Sequence, residues 1–398
     1  MIKIAPAKIT HKIKYAIRDI VLQAKALEKK GHKMTYLNIG DPILHGYKTP
    51  RHMIEIMYKK MLAGYNSYAP SSGISEAIEA IRQSALNKKI RNIQEIFISS
   101  GGSEAIDICL AALLNVGEQV LTPNPGYPLF TSVIARCRGV SVPYRLTENN
   151  GWLPDLDDLS RHITPRTRAL VMINPNNPTG SVYPLEILKG ILQLAQRHNL
   201  VIIADETYDT LIFDHLKHIP IASLKHQFPI VTINSLSKSF LAPGWRMGCA
   251  IITGDRRIVK DYTEAILKFT RARLCANHPA QFAVKSALEG SKNHLDQMVS
   301  ELWKNRDWVV NILNSTPGIQ CSKPQGAFYA YPSLTGWKGT DKEFVVKLME
   351  ETGIVVVPGS GFGESPGKKY FRMVFLPRGN KLKVALDKIK KFAEKWMG

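Results

Sequence analysis

The sequence is organised around short apolar runs, each followed at once by a turn rich in polar residues, glycine and proline. The runs are residues 95–99 (EIFIS), 118–122 (EQVLT), 168–173 (RALVMI), 200–204 (LVIIA), 230–234 (IVTIN) and 247–252 (MGCAII). Such runs, bounded by turn signals, are typical of buried strands. Helix-period segments separate most of them, for example residues 103–114 and 184–198. Strands that alternate with helices predict an α/β fold with a mainly parallel sheet covered by helices on both faces.

The pattern changes after about residue 285. A charged amphipathic helix is expected over residues 297–313, followed by short strands near 327–331, 353–357 and 372–375 and by a Lys-rich terminal helix. The length of 398 residues also favours more than one folding unit, because a domain typically has ~150 residues. We therefore expect a large α/β domain and a second, smaller α+β domain.

The charge balance is strongly basic, with 53 Lys and Arg against 33 Asp and Glu, a net charge of +20. By itself this favours an acidic partner such as nucleic acid, anionic lipid or a phosphorylated ligand. No stretch approaches the ~18 apolar residues that a membrane span requires, so no membrane association is expected.

The N-terminus and the cysteines bear on the cellular compartment. Residues 1–19 contain five Lys or Arg but no apolar signal region, so a secretory signal is not expected, whereas a basic transit peptide stays open as an alternative. The five cysteines are odd in number, widely spaced and mostly within apolar runs. Reduced, buried thiols are expected, and with them a cytoplasmic location.

Five polar segments follow predicted strands of the large domain. They are residues 100–104 (SGGSE), 123–128 (PNPGYP), 174–180 (NPNNPTG), 205–208 (DETY) and 235–238 (SLSK). Ligands of open α/β sheets bind at the carboxyl edge of the strands. These segments are therefore expected to converge on one binding site.

Three of these segments contain residues suited to a phosphorylated, planar ligand. Gly102 and Ser103 at a helix start offer backbone N–H groups to a phosphate, although a simple tight turn has the same composition. Tyr127 lies between two prolines and is suited to stacking on a ring, or is a surface tyrosine of a turn. Asn177 either donates into the site or caps its own backbone.

Charged residues at the strand ends suggest covalent and ionic chemistry. Asp205 ends an apolar strand, where an ionised carboxylate needs a cation or several donors unless it is the N-cap of a helix. Lys238 follows an apolar strand and lies among three serines, so it could be a desolvated amine that forms a Schiff base. The alternative is an ordinary solvated lysine, as most lysines are. Arg246 and Arg372 either bind anionic ligand groups or form structural ion pairs. An amine, a carboxylate, a phosphate site, a stacking ring and a second anion site together indicate a pyridoxal phosphate enzyme that acts on amino acids.

Several sequence blocks, in order along the chain, carry a family resemblance. They are residues 38–42 (NIGDP), 100–105 (SGGSEA), 124–128 (NPGYP), 174–180 (NPNNPTG), 204–208 (ADETY), 235–238 (SLSK) with 244–246 (GWR), 273–277 (RLCAN) and 326–329 (GAFY). With these blocks the chain resembles the fold-type I, class I and II aminotransferases over essentially its whole length, and most closely the alanine aminotransferase branch. The block at residues 273–277 is the one that indicates the alanine branch.

The resemblance implies a fold and an assembly. It implies a large domain over residues 46–285 with a seven-stranded, mainly parallel sheet, and a small domain over residues 286–398 that is joined by an N-terminal arm, residues 1–45. Tyr68 matches a tyrosine that completes the phosphate pocket of the neighbouring subunit. The resemblance therefore implies a homodimer with its active sites at the subunit interface.

The resemblance also implies roles for single residues around pyridoxal 5'-phosphate. Lys238 would hold the cofactor, Asp205 would pair with its pyridinium nitrogen, Tyr208 and Asn177 would bind its phenolic oxygen, and Tyr127 would stack on its ring. The phosphate would meet the N–H groups of Gly102, Ser103 and Glu104 together with Ser235, Ser237 and Arg246. Arg372, with Gly40 and Asn177 nearby, would bind the substrate α-carboxylate. No metal site is expected.

The implied reaction is transamination between amino acids and 2-oxo acids by a ping-pong mechanism, with Lys238 as the general base. A second arginine that binds a side-chain carboxylate in one aspartate aminotransferase branch is not matched, because the aligned position is Ala272, between Arg271 and Arg273. We expect alanine as amino donor and 2-oxoglutarate as acceptor, with aspartate or another dicarboxylic donor as the alternative.

Two other functions remain as alternatives. A β-lyase would use the same cofactor but release pyruvate and ammonia without a keto-acid acceptor. A DNA-binding regulator on this fold would carry an N-terminal helix-turn-helix module, whereas the aminotransferase-like sequence begins within the first twenty residues. Nucleic-acid binding is therefore not expected.

Overall fold

The computed structural model describes residues 4–13, 16–363 and 367–397. The described ranges leave out residues 1–3, 14 and 15, which belong to the segment where no secretory signal is expected. They also leave out Gly398, which belongs to the expected small domain. The α-helices are α1 (Ala16–Glu28), α2 (Arg51–Leu62), α3 (Ser75–Asn87), α4 (Gly102–Ala111), α5 (Pro128–Arg136), α6 (Leu156–Arg161), α7 (Leu185–Arg197), α8 (Arg256–Ala272), α9 (His278–Glu289), α10 (Asn293–Asn314), α11 (Asp341–Thr352) and α12 (Asn380–Met397). The strands are β1 (Thr35–Tyr36), β2 (Ile93–Ser100), β3 (Gln119–Asn124), β4 (Val140–Thr147), β5 (Leu153–Pro154), β6 (Thr167–Ile173), β7 (Val201–Asp205), β8 (Ile230–Ser235), β9 (Met247–Thr253), β10 (Ile319–Gln320), β11 (Tyr329–Ala330), β12 (Ser333–Leu334), β13 (Ile354–Val355), β14 (Val357–Pro358) and β15 (Phe371–Val374).

The large sheet has the order β2-β9-β8-β7-β6-β3-β4-β5. The pairs among β3, β4, β6, β7 and β8 are parallel, which confirms the α/β class. The sheet has eight strands, so the expectation of seven was wrong. The edge strand β5 is only two residues long and pairs antiparallel with β4. A strand that short has no periodicity by which the sequence could reveal it.

Helices cover both faces of this sheet. Leu170 and Met172 of β6 pack into a cluster with α3, α7 and α9, whereas Ala169 and Val171 pack on the other face with α4, α5 and α8. Alternate side chains of a strand point to opposite faces. A strand covered on both faces therefore has to be apolar at successive positions, which is why these strands are visible in the sequence as uninterrupted runs.

A separate core lies in the C-terminal third of the chain. The short strands β1–β13, β10–β12 and β11–β15–β14 form three small sheets, and α10, α11 and α12 contribute apolar side chains to the same cluster. Ile20, Ala24 and Leu37 near the N-terminus belong to this cluster. Thr35 of β1 pairs in parallel with Ile354 of β13. The smaller α+β unit is thus present and includes N-terminal residues, while the boundaries at 45/46 and 285/286 stay predictions.

Strand direction places the polar segments at one edge of the large sheet. The parallel strands β6, β7 and β8 end there, at Ile173, Asp205 and Ser235. β9 runs antiparallel to both β8 and β2, so its first residue, Met247, lies beside Ser100 at the end of β2. The same edge therefore receives the residues that follow most strands and the residue that precedes β9. Within the described ranges, no helix is long and apolar enough to cross a membrane.

Candidate active site

A cavity of about 520 Å³ opens at this edge. It is lined by all but two of the residues that the sequence singled out for cofactor and substrate binding. These lining residues are Gly40, Gly102, Ser103, Tyr127, Asn177, Asp205, Tyr208, Ser235, Ser237, Lys238, Arg246 and Arg372. The expected convergence of the polar segments on one site is therefore found.

Lys238 lies just beyond the end of β8, and its amine points into the cavity. Its Nζ donates a hydrogen bond of 2.6 Å to the carbonyl oxygen of Gly40. Burial lowers the pKa of Lys238 from 10.5 to about 8; Asp41 opposes this change, and Arg372 adds to it. Desolvation penalises the ammonium form, so the neutral, nucleophilic amine becomes accessible near neutral pH. This is the property that covalent capture of an aldehyde requires.

Asp205, the last residue of β7, is buried at 7 % exposure. The amide and hydroxyl of Thr207 donate to its Oδ1 at 3.1 and 2.6 Å. No helix follows Asp205 directly, so the alternative reading of this residue as a helix N-cap was wrong. Burial raises the pKa of Asp205, while Thr207 and the charge of Lys238 oppose that rise. A cationic ring nitrogen in the cavity would favour the ionised carboxylate further.

The start of α4 and Arg246 form a cradle suited to a phosphate group. Gly101 precedes α4 with a φ of +79°, and a Cβ there would collide with the Arg246 guanidinium. Arg246 donates to the carbonyls of Pro243 at 3.1 Å and Ser100 at 3.4 Å, which holds it against the helix start. Ser103 in the first turn of the helix also lines the cavity. Free N–H groups, the helix dipole and a guanidinium together favour a bound dianion.

Arg372 provides a second anion site in the cavity. It lies on β15 and is only 1 % exposed. Its Nη1 donates to Asn177 Oδ1 at 3.0 Å and its Nη2 to the carbonyl of Asn38 at 2.6 Å. The rings of Tyr329 and Phe362 flank the guanidinium, with centroids at 4.4 and 4.7 Å from Cζ. These two hydrogen bonds go to neutral oxygens and fix the guanidinium plane, so a carboxylate entering the cavity meets an oriented cation.

A pair of tyrosines also lines the cavity. The hydroxyl groups of Tyr208 and Tyr329 are 2.7 Å apart. Burial, followed by the neighbouring Tyr329, raises the pKa of Tyr208 well above its usual range, so Tyr208 is a neutral hydrogen-bond donor. A Cβ on Gly40 would collide with the Tyr329 hydroxyl. Tyr329 therefore positions Tyr208 and also requires glycine at position 40.

Two predicted residues do not line the cavity. Tyr68 is 80 % exposed on the surface of the chain. Glu104 accepts a hydrogen bond from the amide of Ser100 at 2.7 Å and pairs with Arg273 at 3.1 Å. Its own amide donates to the carbonyl of Gly101 at 3.2 Å. Glu104 thus braces the cradle from outside, and a contact of its N–H group with a phosphate stays a prediction.

Several residues at the site had no predicted role. Thr207 orients Asp205, the carbonyl of Asn38 orients Arg372, and Arg18 of α1 lines the cavity. Thr207 and Asn38 fall inside recognised sequence blocks and could have been identified there. Arg18 has no such signal, because it occupies an exposed position on an amphipathic helix.

The fold and the site together define a pyridoxal phosphate enzyme. The lysine with a lowered pKa, the buried aspartate, the phosphate cradle and the second arginine fit the aldehyde, ring nitrogen, phosphate and substrate carboxylate that such an enzyme must bind. The model of the family "Aminotransferase class I and II" matches residues 32–389, and the chain belongs to this family. Its cofactor is pyridoxal phosphate, and the chain is an aminotransferase that acts on amino acids and 2-oxo acids.

Named relatives cover nearly the whole chain. The glutamate-pyruvate aminotransferase AlaA of Escherichia coli K12 is 36% identical over 95% of this chain and 95% of its own length. The alanine aminotransferase of Mycobacterium tuberculosis is 38% identical over 95% of this chain and 90% of its own. The structure of an alanine aminotransferase from Pyrococcus furiosus superposes with a TM-score of 0.94 at 38% identity, covering 98% of this chain and 100% of that one. The resemblance to the alanine aminotransferase branch is therefore confirmed.

Proposed function

We propose that the enzyme transfers the amino group between a small L-amino acid, with alanine as first choice, and 2-oxoglutarate in a ping-pong reaction. The observation that carries the proposal is the set of cations at the cavity. Among the described residues, Arg18, Lys238, Arg246 and Arg372 line it. Lys238 and Arg246 suit the cofactor, which leaves two guanidinium groups for substrates. Alanine and pyruvate have one carboxylate, whereas glutamate and 2-oxoglutarate have two, so Arg372 would bind all four substrates and Arg18 only the dicarboxylates.

The residues around the cofactor would divide the chemistry. Bound pyridoxal phosphate supplies a ring that withdraws electrons from the substrate Cα. The Lys238 amine, whose pKa burial lowers to about 8, would move the proton from that Cα. Asp205 would hold a proton on the ring nitrogen, Tyr208 and Asn177 would bind the phenolic oxygen, and Tyr127 would stack on the ring. The buried position of Asn177 beside Arg372 supports a second role in orienting the substrate carboxylate.

The same proposal includes a homodimer in which Tyr68 of the partner subunit completes the phosphate cradle. Two observations support it. Tyr68 is 80 % exposed, although a tyrosine buries a large area in a folded core. Nearby, α2 exposes four large apolar side chains: Ile54, Tyr58, Met61 and Leu62. An exposed apolar helix face of this kind is typical of a protein–protein interface.

Two further assignments belong to the proposal. All five cysteines are free thiols, which is compatible with the reducing cytoplasm where we place the enzyme. We also retain residues 1–45 as an arm of the small domain, because β1 pairs with β13.

Sedimentation of the purified protein tests the proposed homodimer, since a monomer at micromolar concentration would contradict it.

A half-reaction screen tests the substrate assignment. Each of the twenty amino acids is mixed with the cofactor-loaded enzyme, and conversion of the cofactor to its amine form is followed by absorbance. We expect the fastest conversion with alanine and glutamate, and product formation only when a 2-oxo acid acceptor is added. Fastest conversion with aspartate would support the dicarboxylic alternative. Pyruvate and ammonia formed without any acceptor would instead identify a β-lyase.

A further inference from the structure

The segment Arg273 to His278, which runs from the end of α8 to the first residue of α9, connects two parts of the proposed phosphate-binding machinery. It includes the sequence block that indicates the alanine branch, yet it does not line the cavity. The Arg273 side chain is only 15% exposed, and its guanidinium bonds in two directions. A half-buried cation with several oriented partners fixes those partners relative to one another.

One set of these bonds holds the phosphate cradle of the same subunit. Arg273 Nη1 pairs with Glu104 Oε2 at 3.1 Å, and the same carboxylate oxygen accepts a hydrogen bond from the amide of Ser100 at 2.7 Å. Arg273 Nη2 donates to the carbonyl of Ile98 at 2.6 Å. Ile98 and Ser100 belong to the end of β2, which leads directly into the start of α4. Arg273 therefore braces the turn on which the phosphate cradle is built.

The other contacts hold the segment that carries Tyr68. Arg273 Nη2 also donates to the carbonyl of Ser71 at 3.1 Å. The amide of Ala69 donates to Cys275 Sγ at 3.4 Å, and His278 Nδ1 lies 2.9 Å from the carbonyl of Ser67. Residues 67, 69 and 71 are thus each attached to the Arg273–His278 segment, on both sides of Tyr68.

We propose that Arg273 is a positioning residue for the cofactor phosphate in both active sites of the dimer. It acts on its own site through Glu104 and the turn at residues 98–102, and on the partner's site through the segment that presents Tyr68. This inference rests on the proposed dimer and on the proposed contact between Tyr68 and the partner's phosphate.

The charge of Arg273 has a second consequence at its own site. Glu104 is an anion in the first turn of the helix that would bind a dianionic phosphate. Arg273 neutralises it at 3.1 Å. Without Arg273 the carboxylate would repel the phosphate and would also lose the partner that fixes it. Removing both charges together should therefore restore part of the cofactor affinity that the loss of Arg273 alone removes.

Hybrid dimers separate the two effects. One subunit carries Lys238→Ala, so that only the other subunit's site forms the visible absorbance of lysine-bound cofactor. Arg273→Gln is placed either in the subunit with Lys238 or in the subunit without it, and the dissociation constant of pyridoxal phosphate is measured by titration of that absorbance. We expect about tenfold weaker binding in both arrangements. Glu104→Gln should weaken cofactor binding only when it is placed in the subunit that carries Lys238. Tyr68→Phe should weaken cofactor binding only when it is placed in the subunit that lacks Lys238.

Controls and a second readout make the result unambiguous. Arg271→Gln, an exposed arginine two residues away, should bind cofactor as the unmodified chain does. Arg273→Gln combined with Glu104→Gln should bind more tightly than Arg273→Gln alone. In cofactor-free protein, hydrogen exchange at residues 67–71 should be faster in Arg273→Gln. If that variant does not fold, Arg273→Lys replaces it, because lysine keeps the charge but has one nitrogen in place of the guanidinium group. Arg273→Lys should weaken cofactor binding by less than tenfold in the same two arrangements.

The outcomes that overturn the inference are distinct from failure of the proposed dimer. An effect of Arg273→Gln in only one arrangement would overturn the coupling of the two sites. No effect in either arrangement would overturn the positioning role altogether. A monomeric protein, or a Tyr68→Phe chain with unchanged cofactor affinity, would instead contradict the proposed assembly.

Discussion

The Nζ of Lys238 lies 2.6 Å from the carbonyl oxygen of Gly40, so a segment near the N-terminus reaches the reactive amine. Two residues earlier, the carbonyl of Asn38 accepts a hydrogen bond from Arg372. The backbone from Asn38 to Gly40 therefore accepts hydrogen bonds both from Lys238, which is suited to the cofactor, and from Arg372, which is suited to the substrate carboxylate. β1, which directly precedes this backbone, pairs with β13 of the small domain. Any movement of the small domain would therefore displace the hydrogen-bond partners of both Lys238 and Arg372.

Replacement of Lys238 tests the centre of the site. Lys238→Ala should abolish turnover and the visible absorbance of the loaded protein, because no other amine of the described residues lines the cavity. The matched control is Lys225→Ala, an exposed lysine outside the cavity, which should keep both properties. Steady-state rates and absorbance spectra of the two variants provide the measurement. Full activity of Lys238→Ala would remove the central assignment.

The pKa of Lys238 predicts a pH dependence for cofactor uptake. Burial lowers that pKa to about 8, and only the neutral amine attacks an aldehyde. At pH 7 roughly one amine in ten is then neutral, against roughly one in three thousand for a lysine of unperturbed pKa. The rate at which cofactor-free protein captures pyridoxal phosphate should rise with pH and level off above about pH 8 to 9.

A variant checks the cause of this pH dependence. Arg372 is one of the charges that lower the pKa of Lys238, so Arg372→Gln should shift the rise in the capture rate to higher pH. Stopped-flow absorbance over pH 6 to 10.5 measures both curves. A rate for the unmodified protein that keeps increasing through pH 10 would show that Lys238 is not desolvated.

Arg18 separates the two halves of the proposed reaction. Arg18→Gln should lower kcat/KM for glutamate and 2-oxoglutarate by about 10- to 100-fold, because a charge-assisted hydrogen bond to the second carboxylate is lost. The alanine and pyruvate half-reactions should stay within about twofold of the unmodified enzyme. Arg197→Gln, at an exposed site in the last turn of α7, is the matched control. Equal losses for alanine and glutamate would show that Arg18 does not discriminate between one carboxylate and two.

Arg372 should affect every substrate, in contrast to Arg18. Arg372→Lys keeps the charge but cannot keep both the bond to Asn177 and the bond to Asn38 while it binds a carboxylate through two nitrogens. We expect kcat/KM to fall by about 100-fold for alanine and glutamate alike. Arg378→Lys, a solvent-exposed arginine paired with Glu301, should change neither. A loss confined to glutamate would exchange the proposed roles of Arg372 and Arg18.

The residues that the sequence could identify are those whose role depends on local chemistry. The six apolar runs correspond to β2, β3, β6, β7, β8 and β9, since a strand buried on both faces must be apolar throughout. β4 was missed because it contains Pro143 and alternates in burial. Arg18 was missed because its approach to the cavity depends on how α1 packs against distant parts of the chain. The orientation of Glu104 likewise depends on Arg273, which is remote in sequence, and no local pattern encodes that contact.

A buried carboxyl next to the site predicts an unusual dependence of stability on pH. Glu206 directly follows Asp205, is 2% exposed, and accepts a hydrogen bond from the amide of Ile221 at 3.1 Å. Burial, followed by the charge of Asp209, raises the pKa of Glu206 from 4.5 to about 8. Between these two values the folded chain keeps a proton that the unfolded chain has lost. Unfolding therefore releases a proton, and this group lowers the free energy of unfolding as pH rises from about 4.5 to about 8.

Glu206→Gln should remove this contribution, because glutamine retains an oxygen that can accept the hydrogen bond from Ile221 but does not ionise. One such carboxyl changes the free energy of unfolding by up to about 1.4 kcal/mol per pH unit. Between pH 5.5 and 7.5 the free energy of unfolding of the unmodified protein should therefore fall by about 2 to 3 kcal/mol more than that of the variant. Urea unfolding of cofactor-free protein at the two pH values measures the difference. The control is Glu186→Gln, whose side chain is 79% exposed on α7 and should leave the slope unchanged. If Glu206→Gln has the same slope as the unmodified protein, Glu206 is ionised in the folded chain, and its charge must be balanced by the nearby Lys88.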